Sequence, residues 1–148
     1  HNVAADKISG IAGMMNFEYL IASQPHLYIA TAVGSEREMA APASPYVILG
    51  PGVQPDTARA SLNRALARMQ LNVLTAVKEQ RAYALWHHFY NSPLNVVAVQ
   101  VLAKWAYPDM FDDLSPRATM QLLFSQFQSV RLDGTYWIAG NEANNADE

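Results

Sequence analysis

The residues with the greatest capacity for chemistry form one short run, Trp86-His87-His88-Phe89-Tyr90-Asn91. Its aromatic rings offer a rigid apolar surface for a flat or hydrophobic ligand, and Tyr90 and Asn91 add hydrogen-bonding groups. This mixture favours the binding of a partly apolar small molecule. Trp86 and Phe89 would also suit a hydrophobic core, and Asn91 would also suit a turn.

The neighbouring histidines raise the question of a direct metal site. Adjacent residues on a strand point to opposite faces, so His87 and His88 do not easily reach one ion. One of them would need a partner such as Tyr90 or His26, and further ligands are not spaced convincingly. The sequence therefore predicts no metal ligands, and it favours histidines that are satisfied by hydrogen bonds.

Arg37 and Glu18 are the two charged side chains outside this run that are candidates for a functional role. Arg37 lies in a polar, proline-containing loop, and its planar guanidinium can pair with a carboxylate or a catecholate. The plainer interpretation is a solvated loop arginine. Glu18 stands in the first turn of a predicted helix, where it complements the helix dipole. The predicted ligand-binding residues are Trp86, His88, Tyr90, Asn91 and Arg37.

Motifs typical of enzymes are absent from the sequence. It has no Gly-x-Ser-x-Gly turn, no His-Glu-x-x-His helix, no cysteine nucleophile and no paired-carboxylate motif. The segment Gly50-Pro51-Gly52 lacks the Gly-Lys-Ser/Thr ending of a phosphate loop and predicts a turn at a strand end. We therefore predict no catalytic residues and no enzymatic activity.

Alternating helix and strand patterns must position these residues. Apolar runs predict strands at 27–33, 46–49 and within 81–89, with a last strand or extended segment at 132–139. Helices are predicted at 16–23, 56–68, 73–80, 94–106 and 116–128, with 56–80 as one continuous helix the alternative to two. Asn16, Asp56, Ser92 and Ser115 are the predicted N-caps, and Pro93 suits the first helical position.

This order predicts an α/β fold, a three-layer sandwich with a mainly parallel sheet. Ligands of such sheets bind beyond the carboxyl ends of the strands. The loops expected to meet there are 31–39, 50–54 and 87–91. A helix beginning at Pro93 would also direct free N–H groups to that edge, which favours an anionic ligand group.

The bulk composition fits one domain. The chain has 148 residues, 51% of them hydrophobic and 16% charged, which supports a packed core. A net charge of -3 and scattered basic residues argue against a nucleic-acid partner. The absence of cysteine excludes disulfides and thiolate metal sites. No apolar run is long enough to cross a membrane, and no signal peptide is visible.

Three stretches together resemble periplasmic binding proteins for iron–siderophore, haem and cobalamin. Phe17 to Ile29 resembles the family's helix with an early Glu that leads through Pro-Asp into a buried strand, with His26 where Asp is usual. Tyr83 to Asn95 looks like the strand-to-helix crossing of the second lobe. Leu102 to Phe111 is similar to the family's LAKW-x-x-P-x-x-F ending. The ordered set covers roughly residues 3–137.

The resemblance implies a bilobal protein with ligand held between two α/β lobes that a long helix joins. This chain matches the second lobe at 1–139, and 140–148 is predicted to be a disordered tail. The implied role is the substrate-binding component of an ABC importer, periplasmic and monomeric, which binds a ferric siderophore or a related metal chelate. It implies no cofactor and no nucleic-acid partner, and a parent either soluble or lipid-anchored through an upstream N-terminus.

The same resemblance implies that Glu18 docks into Arg-bearing pockets of the permease subunits, where charge pairing would set orientation. A single lobe is expected to hold ligand weakly because half of the pocket is missing. The alternatives are a haem, cobalamin or direct metal-ion lobe of the same superfamily, or a small α/β interaction domain with no ligand of its own.

Overall fold

A computed structural model describes residues 2–5, 7–8, 13–34 and 45–140. Helices and strands alternate over most of this length. In chain order the elements are α1 (Phe17–Ser23), β1 (Tyr28–Ala32), α2 (Pro55–Arg68), a 3₁₀ turn (Leu71–Val73), α3 (Thr75–Lys78), β2 (Ala82–Trp86), a 3₁₀ helix (His87–Asn91), α4 (Asn95–Ala106), α5 (Pro116–Phe127) and β3 (Trp137–Ala139).

Three strands form one mixed sheet in the order β1-β2-β3. β1 and β2 are parallel, with Tyr28 opposite Ala82 and Ala32 opposite Trp86. β3 runs antiparallel to β2, with Trp137 opposite Leu85. The α/β class is confirmed. A mainly parallel sheet in a three-layer sandwich is not confirmed, because one of the two strand pairings within the described part of the chain is antiparallel.

Alternate residues of β2 supply two separate hydrophobic clusters. Ala82 and Ala84 join the cluster that includes Leu62 and Leu66 of α2. Leu85 joins the cluster that includes residues of α4 and α5, and the Tyr83 ring stacks on Trp105 of α4 at 4.4 Å between centroids. Successive strand residues point to opposite faces of a sheet, so β2 is buried on both of them.

The apolar segment 46–49 is not a strand, so this part of the prediction is wrong, although Ile48 and Leu49 are buried. The N–H of Ile48 donates to the Ser61 hydroxyl at 2.9 Å, and that hydroxyl donates to the carbonyl of Ala58 at 2.7 Å. The Ile48 N–H therefore bonds to α2 rather than to a neighbouring strand. The residue that follows the segment, Gly50, forms an isolated antiparallel bridge with Thr135 just before β3.

Two of the predicted helix N-caps are confirmed, and in each of them one side chain bonds to the first turn of the helix. The Asn16 side chain accepts from the Tyr19 N–H at 3.2 Å, and Ser115 accepts from the Ala118 N–H at 3.3 Å. Asp56 is not the cap of α2: Gln54 occupies that position and Pro55 begins the helix. The fixed φ of proline suits this first position, so Asp56 falls within the first turn.

Ser92 is also not an N-cap, since α4 begins at Asn95 after Leu94. The Ser92 hydroxyl instead donates to the carbonyl of Phe89 at 3.4 Å. The break predicted near 70–72 is present, and two helices rather than one continuous helix occupy this region. Gln70 has a φ of 57°, which ends α2 before the 3₁₀ turn begins.

The end of the described chain is attached to the sheet. The Gly140 N–H donates to the carbonyl of Ala82 at 3.0 Å, and its carbonyl accepts from the Asn63 amide at 3.1 Å. Gly140 therefore continues the pairing of β3, and the rest of the predicted tail, 141–148, lies outside the described residues. Among the residues described, no helix has the length and hydropathy to cross a membrane.

Candidate ligand-binding rim

Segments distant in sequence meet beyond the carboxyl ends of β1 and β2. A Cβ at Gly34, two residues after β1, would lie 2.7 Å from the carbonyl oxygen of Leu49. A Cβ at Gly50 would lie 2.9 Å from Nε1 of Trp86, the last residue of β2. The loops after β1 and β2 and the turn at Gly50 thus share one edge, which we call the rim. Ser35 to Ser44, which continue the first loop, lie outside the described residues.

Trp86 lies at the centre of the rim. Its ring makes edge contacts with Tyr136 at 5.0 Å, His88 at 5.2 Å and Phe89 at 5.5 Å between centroids. It is partly buried and packs against both hydrophobic clusters. Trp86 therefore has a structural role as a wall of the rim, and its remaining exposure leaves it accessible to a ligand.

Phe89 fixes the segment that follows β2. Its side chain is 1% exposed and belongs to the α4–α5 cluster, with Tyr136 at 6.2 Å and Trp137 at 6.4 Å between ring centroids. Phe89 is thus a core residue. By anchoring one side of the 3₁₀ helix, it turns the other side chains of that helix toward solvent.

The exposed side of this 3₁₀ helix carries His87, His88, Tyr90 and Asn91. The Tyr90 ring is 69% exposed and lies 4.9 Å from the His87 ring, which lies 5.8 Å from the His88 ring. The prediction that His87 and His88 alternate across a strand is wrong, because β2 ends at Trp86. Their rings are neighbours instead.

His26 cannot share a metal with these residues. It precedes β1, and β1 runs parallel to β2, so His26 lies at the amino end of the sheet and His87 at the carboxyl end. A five-residue strand of about 16 Å separates these ends. The remaining predicted ligand residue, Arg37, lies outside the described residues.

Glu18 is exposed on α1, whose end precedes the amino end of β1. Apolar side chains surround its position in the sequence: Met14 is 98% exposed, Phe17 40% and Tyr19 36%. The Lys7 ammonium lies 5.0 Å from the centroid of the Tyr19 ring. This surface combines one carboxylate with exposed Met and aromatic side chains, and Met and aromatic residues are both enriched at contact surfaces.

A cavity of about 840 Å³ opens beside β3, and none of the four predicted ligand residues that the structure describes lines it. Its walls come from β3, α4 and α5, with Tyr83 and Trp105 on one side. Burial raises the pKa of the Tyr83 phenol, an effect that the neighbouring Arg81 guanidinium partly opposes. Arg81 donates to the carbonyl of Trp105 at 3.1 Å. The rim, by contrast, lies at the carboxyl ends of the parallel strands, where ligands of open α/β sheets bind.

The described part of the rim has aromatic surface, two imidazoles and two phenols, but it shows no complete metal site. Among the described residues, no three His, Cys, Asp or Glu side chains are arranged to hold a metal ion. Burial, and secondarily the negative charge of Asp133, raise the pKa of the Tyr136 phenol. The phenol therefore stays neutral at physiological pH. The arrangement can bind a partly apolar ligand, and it offers donor atoms to a metal that the ligand brings.

Sequence reasoning missed three residues of the rim. His87 was set aside because the strand pattern was extended through Phe89. Thr135 and Tyr136 reach the rim only through the antiparallel pairing of β3, as the Trp86 N–H donates to the carbonyl of Tyr136 at 2.7 Å. The turn-forming run Asn91-Ser92-Pro93 directly after these residues was the available signal that the strand ends early.

Comparisons with known proteins identify the fold. No protein-family model matches the sequence. No curated protein matches it. The structure is similar to the crystal structure of the TroA-like periplasmic binding protein FepB from Veillonella parvula, with a TM-score of 0.84 and 21% sequence identity. The match covers 94% of this chain and 38% of that one, so the chain has the fold of one part of such a protein.

Proposed function

We propose that this chain is one lobe of the substrate-binding component of an ABC importer. Such a component would bind an iron–siderophore-type complex in a cleft between two lobes. The observation that carries the proposal is the fold likeness to a periplasmic binding protein across 94% of the chain. Because that protein extends well beyond the matched 38%, we assign the other wall of the cleft to sequence outside this chain.

The rim supports the ligand-binding half of the proposal. Tyr90, His88 and Asn91 are exposed at the carboxyl end of β2, and Trp86 is partly exposed beside them. Exposed aromatic groups on a rigid element lose little conformational entropy when a ligand binds. The Phe89 anchor and the contact of Trp86 with Gly50 would supply this rigidity. Arg37 belongs to the proposed site as a partner for an anionic ligand group.

The surface around Glu18 supports the docking half. This carboxylate is exposed on an element that leads into the end of β1 opposite to the rim. Docking and ligand binding would therefore use different surfaces, and a loaded protein could reach the permease without releasing its ligand. An Arg-bearing pocket on the permease would provide the opposite charge.

The remaining parts of the proposal follow from the same role. The parent protein is periplasmic, monomeric, and either free or held by a lipid at its N-terminus. It needs no cofactor and performs no catalysis. A completed sheet in a three-layer sandwich belongs to this proposal also. A haem, cobalamin or metal-ion lobe and an interaction domain with no ligand are the alternatives that the following experiment separates.

We expect a ferric chelate to quench the tryptophan fluorescence of this chain. Trp86 lies at the rim, so a bound iron complex would accept its excitation energy at short range. Titration with ferric hydroxamates, ferric catecholates, haem and cobalamin should give saturable quenching by a siderophore-type complex. The affinity should be weak because only one wall of the cleft is present. The iron-free chelators and free tryptophan amide are the controls.

A Glu18→Arg variant tests the proposed docking to the permease in the same experiment. The variant should bind the ferric chelate as the unsubstituted chain does and should lose co-purification with the permease subunits. Loss of the quenching in this variant would instead mean that Glu18 is structural. If no complex in the panel quenches saturably and none protects the chain from thermal unfolding, the interaction-domain alternative replaces our proposal.

A further inference from the structure

Three cationic side chains, Arg81, Lys104 and Arg117, line one end of the cavity beside β3. Lys104 donates to two carbonyl oxygens of the connection between α4 and α5, at 3.2 and 2.8 Å, which holds that connection against the end of α4. Arg81 donates to the carbonyl of Trp105 and therefore lies at the same end of α4. Arg117 stands in the first turn of α5, directly after the connection.

Arg81 and Arg117 remain available to a ligand. Within the described part of the chain, neither guanidinium forms an ion pair, although the exposed carboxylates of Glu79 and Asp112 also line this end. A guanidinium has five N–H donors. For Arg81 the Trp105 carbonyl accepts from one of them, so a planar carboxylate can accept two parallel hydrogen bonds from others.

A third carboxylate, that of Asp133, lines the far end of the cavity. It precedes Gly134, whose Cβ position abuts the turn at Gly50 on the rim. Arg81 precedes the amino end of β2, and this five-residue strand of about 16 Å separates that end from the rim. Asp133 therefore does not oppose an anion that is bound beside Arg81.

The wall beside the cationic end is apolar and aromatic. Trp105 is partly exposed and stacks on Tyr83 with 17° between the ring planes. Met120 and Leu132 add aliphatic surface to the same cavity. The volume of about 840 Å³ lies within the range of about 300–1,000 Å³ that is usual for small-molecule sites. Apolar walls next to two available guanidinium groups suit a ligand with a flat hydrophobic body and one negative group.

From this arrangement we infer that the cavity beside β3 is a second binding site, for a small aromatic carboxylate. The ring of the ligand packs against Trp105 and Leu132, and its carboxylate accepts hydrogen bonds from Arg81, with Arg117 adding positive charge at the opening. None of the described ligand residues predicted for the rim lines this cavity. The site therefore goes beyond the proposed function and binds its ligand independently of a chelate at the rim.

Three naphthalene probes that differ in charge test the inference: 2-naphthoate, neutral 2-naphthamide and cationic 2-naphthylmethylammonium. Calorimetric titration of the chain should show saturable binding of 2-naphthoate, on the order of tenfold tighter than binding of the amide, as expected for hydrogen bonds to a charged group. The cation should bind more weakly than either. Amide shift mapping with 2-naphthoate should give its largest shifts at Trp105, Met120 and Leu132.

Substitutions at the two ends of the ligand identify the contacts. Arg81→Gln should abolish the preference for carboxylate over amide, and Arg117→Gln should reduce it. Arg117 is exposed, so its variant should keep the fold and provides the test if Arg81→Gln does not fold. Leu132→Trp should fill the cavity and block all three probes. The matched controls are Arg68→Gln and Leu122→Trp, both at exposed positions outside the cavity lining, and both should bind as the unsubstituted chain does.

Four results would overturn the inference. They are absence of 2-naphthoate binding, equal binding of the carboxylate and the amide, preference for the cation, and undiminished binding by Leu132→Trp. A fifth is displacement of 2-naphthoate by a gallium(III) bis-hydroxamate, because the probe would then occupy the rim rather than a second site. The proposed function predicts chelate binding at the rim in every one of the first four cases, so it and the inference can fail separately.

Discussion

Replacing Phe89 with Ala should lower the free energy of unfolding by about 3–5 kcal/mol. The ring is 1% exposed and packs against Trp86 and Tyr136, so its removal leaves a cavity in the α4–α5 cluster. Domains of this size are stable by about 5–15 kcal/mol, and the variant would lose a large part of that margin. Urea unfolding followed by tryptophan fluorescence measures the change.

The loss at Phe89 should also disorder the rim. His87 and Tyr90 flank the anchored ring on the 3₁₀ helix, and both are exposed, whereas Phe89 is the buried residue of that helix. Leu122→Ala is the matched control, because that side chain is 54% exposed on α5 and should cost no more than about 0.5 kcal/mol. A Phe89→Ala variant as stable as this control would show that the ring does not anchor the helix.

Gly134→Ala should destabilise the chain by about 2–5 kcal/mol. Gly134 has a φ of 95°, a conformation that alanine adopts only with strain. Its added Cβ would also clash with the carbonyl oxygen of Gly50 and lie 2.6 Å from the Gly52 nitrogen. The substitution must push the segment that precedes β3 away from the turn at Gly50. Thermal and urea unfolding both report the loss.

Gly52→Ala separates these two causes. Gly52 also has a positive φ, 74°, but a Cβ there would meet nothing within 4 Å. This control should therefore pay only the conformational cost of about 1 kcal/mol. If Gly134→Ala is no more costly than Gly52→Ala, the close approach of Gly134 to the Gly50 turn is absent in solution.

Local signals predicted the elements that one side chain or one short pattern determines. Asn16 and Ser115 cap their helices because each needs only its own oxygen and an N–H three residues later. The strands at 28–32 and 82–86 follow from apolar runs that the sheet buries. By contrast, Pro55 displaced the cap predicted at Asp56, since its ring favours the first helical position.

Features that depend on residues distant in sequence could not be predicted from local patterns. The segment 46–49 has the apolar pattern of a strand, yet its Ile48 N–H is satisfied by Ser61, thirteen residues later. The antiparallel direction of β3 is set by its pairing with β2 rather than by its own composition. His87 is a candidate for ligand binding because β2 ends at Trp86 and a 3₁₀ helix follows. The burial of Phe89 favours that 3₁₀ helix over a longer strand.

Amide chemical-shift mapping is the most direct test that the rim binds a metal chelate. The ¹⁵N-labelled chain would be titrated with a gallium(III) bis-hydroxamate, a diamagnetic substitute for the ferric complex. The largest shifts should fall at Gly50 and at the 3₁₀ helix His87–Asn91. Largest shifts at Tyr83, Trp105 and Met120, which line the cavity beside β3, would contradict the assignment of the ligand to the rim.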